Sequence, residues 1–214
     1  YEASRAIIDH SIKYLEEHAR EHHDAPFFSY IAFIAPHFPL QALKADIAQY
    51  QGRFGMGWNE LRALREENRK ELGFRPDPVA PFEPGRFAPW NLSQEELMRE
   101  IDSSEVALAV PWSTLTEDQR EFQSVKMAIH AAMITRMDRE IGRYLQKLEE
   151  LGYLQNTLIF FCSDNGASTE MMNRADKHTP GADPGSANSY LCLGPGWSTA
   201  SNTPFRLHKT WVHE

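Results

Sequence analysis

The stretch that decides the fold is Thr157-Leu158-Ile159-Phe160-Phe161-Cys162-Ser163-Asp164-Asn165-Gly166. Leu158 to Cys162 is unbroken apolar chain, and four turn-forming polar residues follow it. An apolar run of that length bounded by a turn reads as a strand buried on both faces. Immediately upstream, Met133, Met137, Ile141, Leu145 and Leu148 recur at helical spacing. This predicts a long helix from about Glu117 to Leu151, with Thr116 as N-cap, Gln119 closing a capping box and Gly152 as the stop. Helix, short glycine loop, buried strand is the alternation of an α/β sheet. A second run, Phe27-Phe28-Ser29-Tyr30-Ile31-Ala32-Phe33-Ile34-Ala35, reads the same way. Pro36 and Pro39 end it and bracket His37. Before it, Ile8, Ile12, Leu15 and Ala19 form one face of a helix over about residues 3–20. The expected fold is α/β, a mixed, largely parallel sheet flanked by helices.

The rest is less periodic. Trp58 to Glu71 reads as a charged surface helix, and Ser93 with Glu96 forms the capping box of another helix start. Pro76, Pro78, Pro81, Pro84 and Pro89 exclude helix or central strand between them. Residues 50–112 are therefore expected to be an irregular insertion within one domain spanning 1–214. Residues 166–206, rich in Gly, Ser, Asn, Asp and Pro, read as long loops of the kind that usually carry function. No internal repeat is visible.

The chain has 214 residues and a formal net charge of −8. That length supports one domain with a real core. The acidic balance argues against nucleic-acid or anionic-membrane partners, which reward clustered Lys and Arg. No apolar run approaches the ~18 residues of a membrane span. Cys162 and Cys192 are too few for a disulfide framework, and neither has a partner at zinc spacing. The chain starts at Tyr1 without an initiator Met and stops at Glu214 with no stop signal, which reads as a fragment.

Chemistry is sought beyond the carboxyl ends of the two strand candidates, where α/β sheets gather ligands. Asp164 and Asn165 supply a carboxylate and an amide oxygen, which suit Ca²⁺ or Mg²⁺. Asp-Asn-Gly is equally a common turn. His37, held between two prolines, suits a fixed catalytic or anion-binding imidazole; the plainer reading is a surface histidine in a Pro-rich loop. Arg206, His208 and Lys209 form a short cationic cluster that could grip an anion, or a solvated charge cluster. His22-His23-Asp24 reads as an exposed helix end, His130 as a packing or surface residue of the long helix, and Met127, Met133 and Met137 as core filler. Asn91-Leu92-Ser93 is a glycosylation sequon, meaningful in a secretory setting. Gly-x-Ser-x-Gly, P-loop and His-Glu-x-x-His patterns are absent from the sequence.

Four stretches together resemble the sulfatase family of the alkaline-phosphatase-like superfamily. They are Pro26 to Phe33 with Ala35-Pro36-His37-Phe38-Pro39-Leu40-Gln41-Ala42; Met133 to Arg143; Leu151 to Gly166; and Pro204-Phe205-Arg206 through Lys209 to Glu214. The resemblance implies that Asp164 and Asn165 ligate a divalent cation, usually Ca²⁺, with Mg²⁺ as the substitute. It implies that His37 contacts the sulfate or its leaving oxygen, and that Lys209 holds a sulfate oxygen. It further implies a formylglycine nucleophile made from the first residue of Cys/Ser-x-Pro-x-Arg. That motif is absent here: Asn202-Thr203-Pro204-Phe205-Arg206 has Asn where Cys or Ser is required. The nucleophile and the family's N-terminal Asp pair are expected upstream of Tyr1. The implied activity of the parent is sulfuric ester hydrolysis on a small sulfate ester or a sulfated glycan, with the 214-residue chain inactive by itself. The alternatives are a phosphodiesterase or phosphonate hydrolase of the same superfamily, or a non-catalytic binding domain that keeps the fold. A periplasmic or secreted location is the corresponding expectation.

Overall fold

The computed structural model describes residues 2–74, 80–81 and 83–212. Six α-helices appear among them: α1 (Ala3–Glu21), α2 (Lys44–Ile47), α3 (Gly57–Glu71), α4 (Gln94–Glu100), α5 (Glu117–Glu150) and α6 (Pro195–Ser201). Their ends follow local chemistry. Ser93 and Thr116 each accept from the amide three residues on, while Glu96 and Gln119 reach back, so both expected capping boxes form. At the far end of α5, Gly152 takes φ +77° and its amide bonds Glu149, as a left-handed glycine stop does.

The expected sheet is not there. Among the described residues no strand or ladder forms, which corrects the α/β assignment with its mixed, largely parallel sheet. The physical reason is the lack of a partner. Among the described residues, no backbone–backbone hydrogen bond reaches residues 26–33 or 158–165, and an apolar run becomes a strand only when a neighbour satisfies its amides and carbonyls. Packing covers only one side of the first run. Phe27, Ile31 and Phe33 lie against Ile8 and Leu15 of α1 and Tyr144 and Leu148 of α5. Phe28, Tyr30 and Ile34 point outward, and Leu158 to Phe161 are all exposed.

The larger core lies elsewhere. Trp58 of α3, Trp112 and Trp197 of α6 meet edge-on or tilted, with ring centroids 4.8–5.6 Å apart. Gly196 must be glycine here, because a Cβ would sit 2.6 Å from the Trp58 ring. The expected surface helix α3 thus buries its Trp58 face, and the expected loop 166–206 contains a buried helix. Lys126 and Glu105 pair at 2.8 Å inside this core, with Gln123 on the same carboxylate at 2.6 Å. Asp46 of α2, also buried, holds Arg136 and Arg139 of α5. Beyond His37, Leu40 bonds Leu191 and Ala42 bonds Gly185. That pairing ties the His37 loop to the segment that leads into α6.

Candidate functional site

His37 and Lys209, 172 positions apart, are in contact: Lys209 Nζ lies 3.1 Å from His37 Nε2. His37 Nδ1 is 2.8 Å from the Phe38 carbonyl, which can only accept, so Nδ1 carries the proton. Nε2 is then free to accept from the ammonium, and one tautomer satisfies both bonds. Of its three N–H donors, Lys209 spends one on this contact. His37 is exposed and Lys209 half-buried, so the pair faces solvent.

Asp164 and Asn165 stand side by side and exposed at the end of the second apolar run. Ser163 Oγ donates to the Asn165 carbonyl at 2.7 Å and closes the turn. Carboxylate and amide oxygen are hard donors that fit Ca²⁺ or Mg²⁺. A calcium shell needs about six to eight oxygens, and among the described residues no group of three or more His, Cys, Asp or Glu side chains gathers. The two therefore fit as part of a shell.

The two pairs are joined through Ala167. Its carbonyl accepts the Lys209 amide at 3.0 Å, so the backbone of Lys209 runs beside the chain three residues past Asp164. Asn202, the residue that caps the end of α6, takes the Ala167 amide on Oδ1 at 2.8 Å and gives Nδ2 to its carbonyl at 3.0 Å. Asn91 does the same further on, donating to the Thr169 carbonyl and accepting from Met171. Side-chain amides thus hold residues 167–171 as a neighbouring strand would. Asn91's amide nitrogen is engaged, which leaves its sequon nitrogen turned inward.

The other candidates scatter. Arg206 pairs with Glu83 at 3.4 Å, and His208 is buried with Nδ1 2.8 Å from Ser198 Oγ, so the cationic cluster does not form one patch. His23 pairs with Asp24 in solvent. His130 is buried on α5, and burial pushes its imidazole down to about 4. Burial pushes the Cys192 thiol up to about 12, which removes it as a nucleophile. Glu214 lies outside the described residues. Sequence reasoning did not single out Asn202, Ser198 or Asn91 for a role in holding the site; the only signal was Asn202 in a near-match to Cys/Ser-x-Pro-x-Arg.

A sequence profile named Sulfatase matches residues 1–211. The chain is 33% identical over 198 residues to an uncharacterized sulfatase of Schizosaccharomyces pombe, covering 88% of this chain and 32% of that protein. It is 30% identical over 198 residues to an arylsulfatase of Klebsiella aerogenes, covering 87% of this chain and 38% of that one. A human iduronate 2-sulfatase is 26% identical over 145 residues, covering 66% and 22%. The chain belongs to the sulfatase family. It spans about a third of the length of the first two relatives. No helix among the described residues is long and apolar enough to cross a membrane.

Proposed function

We propose that the protein carrying this chain hydrolyses sulfate esters, and that these 214 residues supply part of its active site. The supporting observation is the Lys209–His37 contact, joined through Ala167 to the Asp164–Asn165 turn. Asp164 and Asn165 hold a divalent cation, Ca²⁺ or in its place Mg²⁺. When bound, that ion neutralises charge on the non-bridging oxygens of the ester. Lys209 gives its remaining N–H donors to a sulfate oxygen. His37 lies beside it to contact the sulfate or its leaving oxygen. The formylglycine nucleophile comes from outside these residues, because no Cys or Ser among them opens a Cys/Ser-x-Pro-x-Arg motif. The substrate class, a small sulfate ester or a sulfated glycan, rests on family membership and on the relatives named as arylsulfatase and iduronate 2-sulfatase.

The test is substitution in the protein that carries the chain. Lys209→Ala should lower kcat/KM for para-nitrophenyl sulfate by about 100-fold or more, the usual cost of one oxyanion donor. Asp164→Ala should abolish turnover and weaken Ca²⁺ binding measured by calorimetry. Turnover like the unmodified protein's in both variants would overturn the assignment.

A further inference from the structure

We infer that Asn202 is a positioning residue that holds the Asp164–Asn165 turn in register with Lys209. This rests on the proposed roles of those three residues. Asn202 is 9% exposed and sits where α6 ends. Its amide grips both backbone groups of Ala167, with Oδ1 accepting from N at 2.8 Å and Nδ2 donating to O at 3.0 Å. Three donors approach the Ala167 carbonyl at the same 3.0 Å: Asn202 Nδ2, the Lys209 amide and Ser198 Oγ. A carbonyl has two lone pairs. The arrangement closes if Lys209 and Asn202 take them and the Ser198 hydroxyl turns to His208 Nδ1, 2.8 Å away. Ser198 is fully buried in α6 and His208 is the residue before Lys209, so the same knot also holds the residue that leads into the Lys209 amide.

The packing leaves no slack. A Cβ on Gly166 would lie 2.7 Å from Asn202 Oδ1, so the chain passes against the amide at the residue directly after Asn165. Among the described residues no ladder holds residues 158–165. The Asn202 amide is therefore the first fixed point downstream of the turn, and it is shared with the backbone of Lys209. A half-formed clamp moves the cation ligands and the sulfate-binding lysine relative to each other. Displacements of about 1 Å cost on the order of 100-fold in rate, and loss of a group that orients ligands costs about 10- to 100-fold in metal affinity.

The experiment uses Asn202→Ala and Asn202→Asp in the protein that carries the chain. Three quantities are read: amide hydrogen exchange at Ala167 and Lys209, Ca²⁺ affinity, and the kcat and KM for para-nitrophenyl sulfate. In Asn202→Ala, exchange at both amides should rise at least about 10-fold while α5 keeps its protection. Ca²⁺ affinity should fall about 10- to 100-fold and kcat should drop. Asn202→Asp keeps the acceptor for the Ala167 amide and loses the donor, so protection at Ala167 should return in part; this variant decides the matter if the alanine protein does not fold. Unchanged exchange at both amides, or a uniform rise across α5 with no local excess, overturns the clamp. If exchange responds as expected while Asp164→Ala and Lys209→Ala turn over normally, the clamp stands and the functional reading fails.

Discussion

Two apolar regions of this chain have opposite fates. Trp58 and Trp197 are 1% and 0% exposed, whereas Phe28 and Phe160 are 91% and 84% exposed. By composition the second region is the more hydrophobic, and a sequence reader gives it the core. The difference lies in what stands opposite. Trp197 is met by α3, by Trp112 and by α5, whose Gln123 carbonyl accepts its indole N–H at 2.8 Å. Residues 158–161 have no facing element among the described residues. Burial depends on a partner surface at the right distance and only secondarily on the apolarity of the run.

The largest test of that contrast is Trp197→Ala. It empties the junction of three indoles and removes the indole N–H given to the Gln123 carbonyl. The expected loss is about 3–5 kcal/mol in urea unfolding. A loss under about 1 kcal/mol would mean that the tryptophan cluster is not the core.

The same region should reveal itself through pH. His130 is sealed into α5, and its Nδ1 has no hydrogen-bond partner among the described residues. Burial lowers its imidazole from 6.5 to about 4. A depressed folded value means that the unfolded chain binds the proton first. The stability associated with neutral His130 is present above about 6.5 and is lost as pH falls towards 4, a swing of about 3 kcal/mol. His130→Leu removes that swing. The stability difference between the variant and the parent protein should shift by that amount between pH 7 and pH 4, in the variant's favour. A pH-independent difference would show that water reaches the ring.

What could be read in advance follows the same division. Helix ends and helix faces depend on residues three or four apart, so α1, α4 and α5 were legible, and with them the capping boxes of α4 and α5. Asp164, Asn165 and His37 could be picked out as candidates, because Asp-Asn-Gly after an apolar run and a histidine between prolines are local patterns; Lys209 came from the family resemblance. The structure brings two of them, His37 and Lys209, into contact. The sheet was not legible as absent, since nothing within residues 27–35 or 158–162 reports whether a neighbour exists. Helix α6 was hidden for the converse reason. Pro195-Gly196-Trp197-Ser198-Thr199-Ala200 is buried nearly all round, so it shows no amphipathic stripe. Asn202 was hidden because a clamp is defined by the backbone it meets, and Ala167 is distant in sequence.

The smallest expected effect probes the other side of the contrast. Phe160→Ser replaces a side chain that is 84% exposed and has no ladder around it. Removing an aromatic from the core costs about 3–5 kcal/mol, whereas a surface substitution stays within about 0.5 kcal/mol. The serine variant should therefore unfold at the same urea concentration as its parent. It should also be more soluble, because Leu158, Phe160 and Phe161 expose consecutive large apolar side chains. A cost of 2 kcal/mol or more, read by the same denaturation, would break the comparison. It would show that Phe160 is covered in solution and that the apolar run has found a partner surface. Phe28→Ser separates the two apolar runs: a cost confined to Phe160 would place the covering on residues 158–161, and a cost at both would place one surface over the pair.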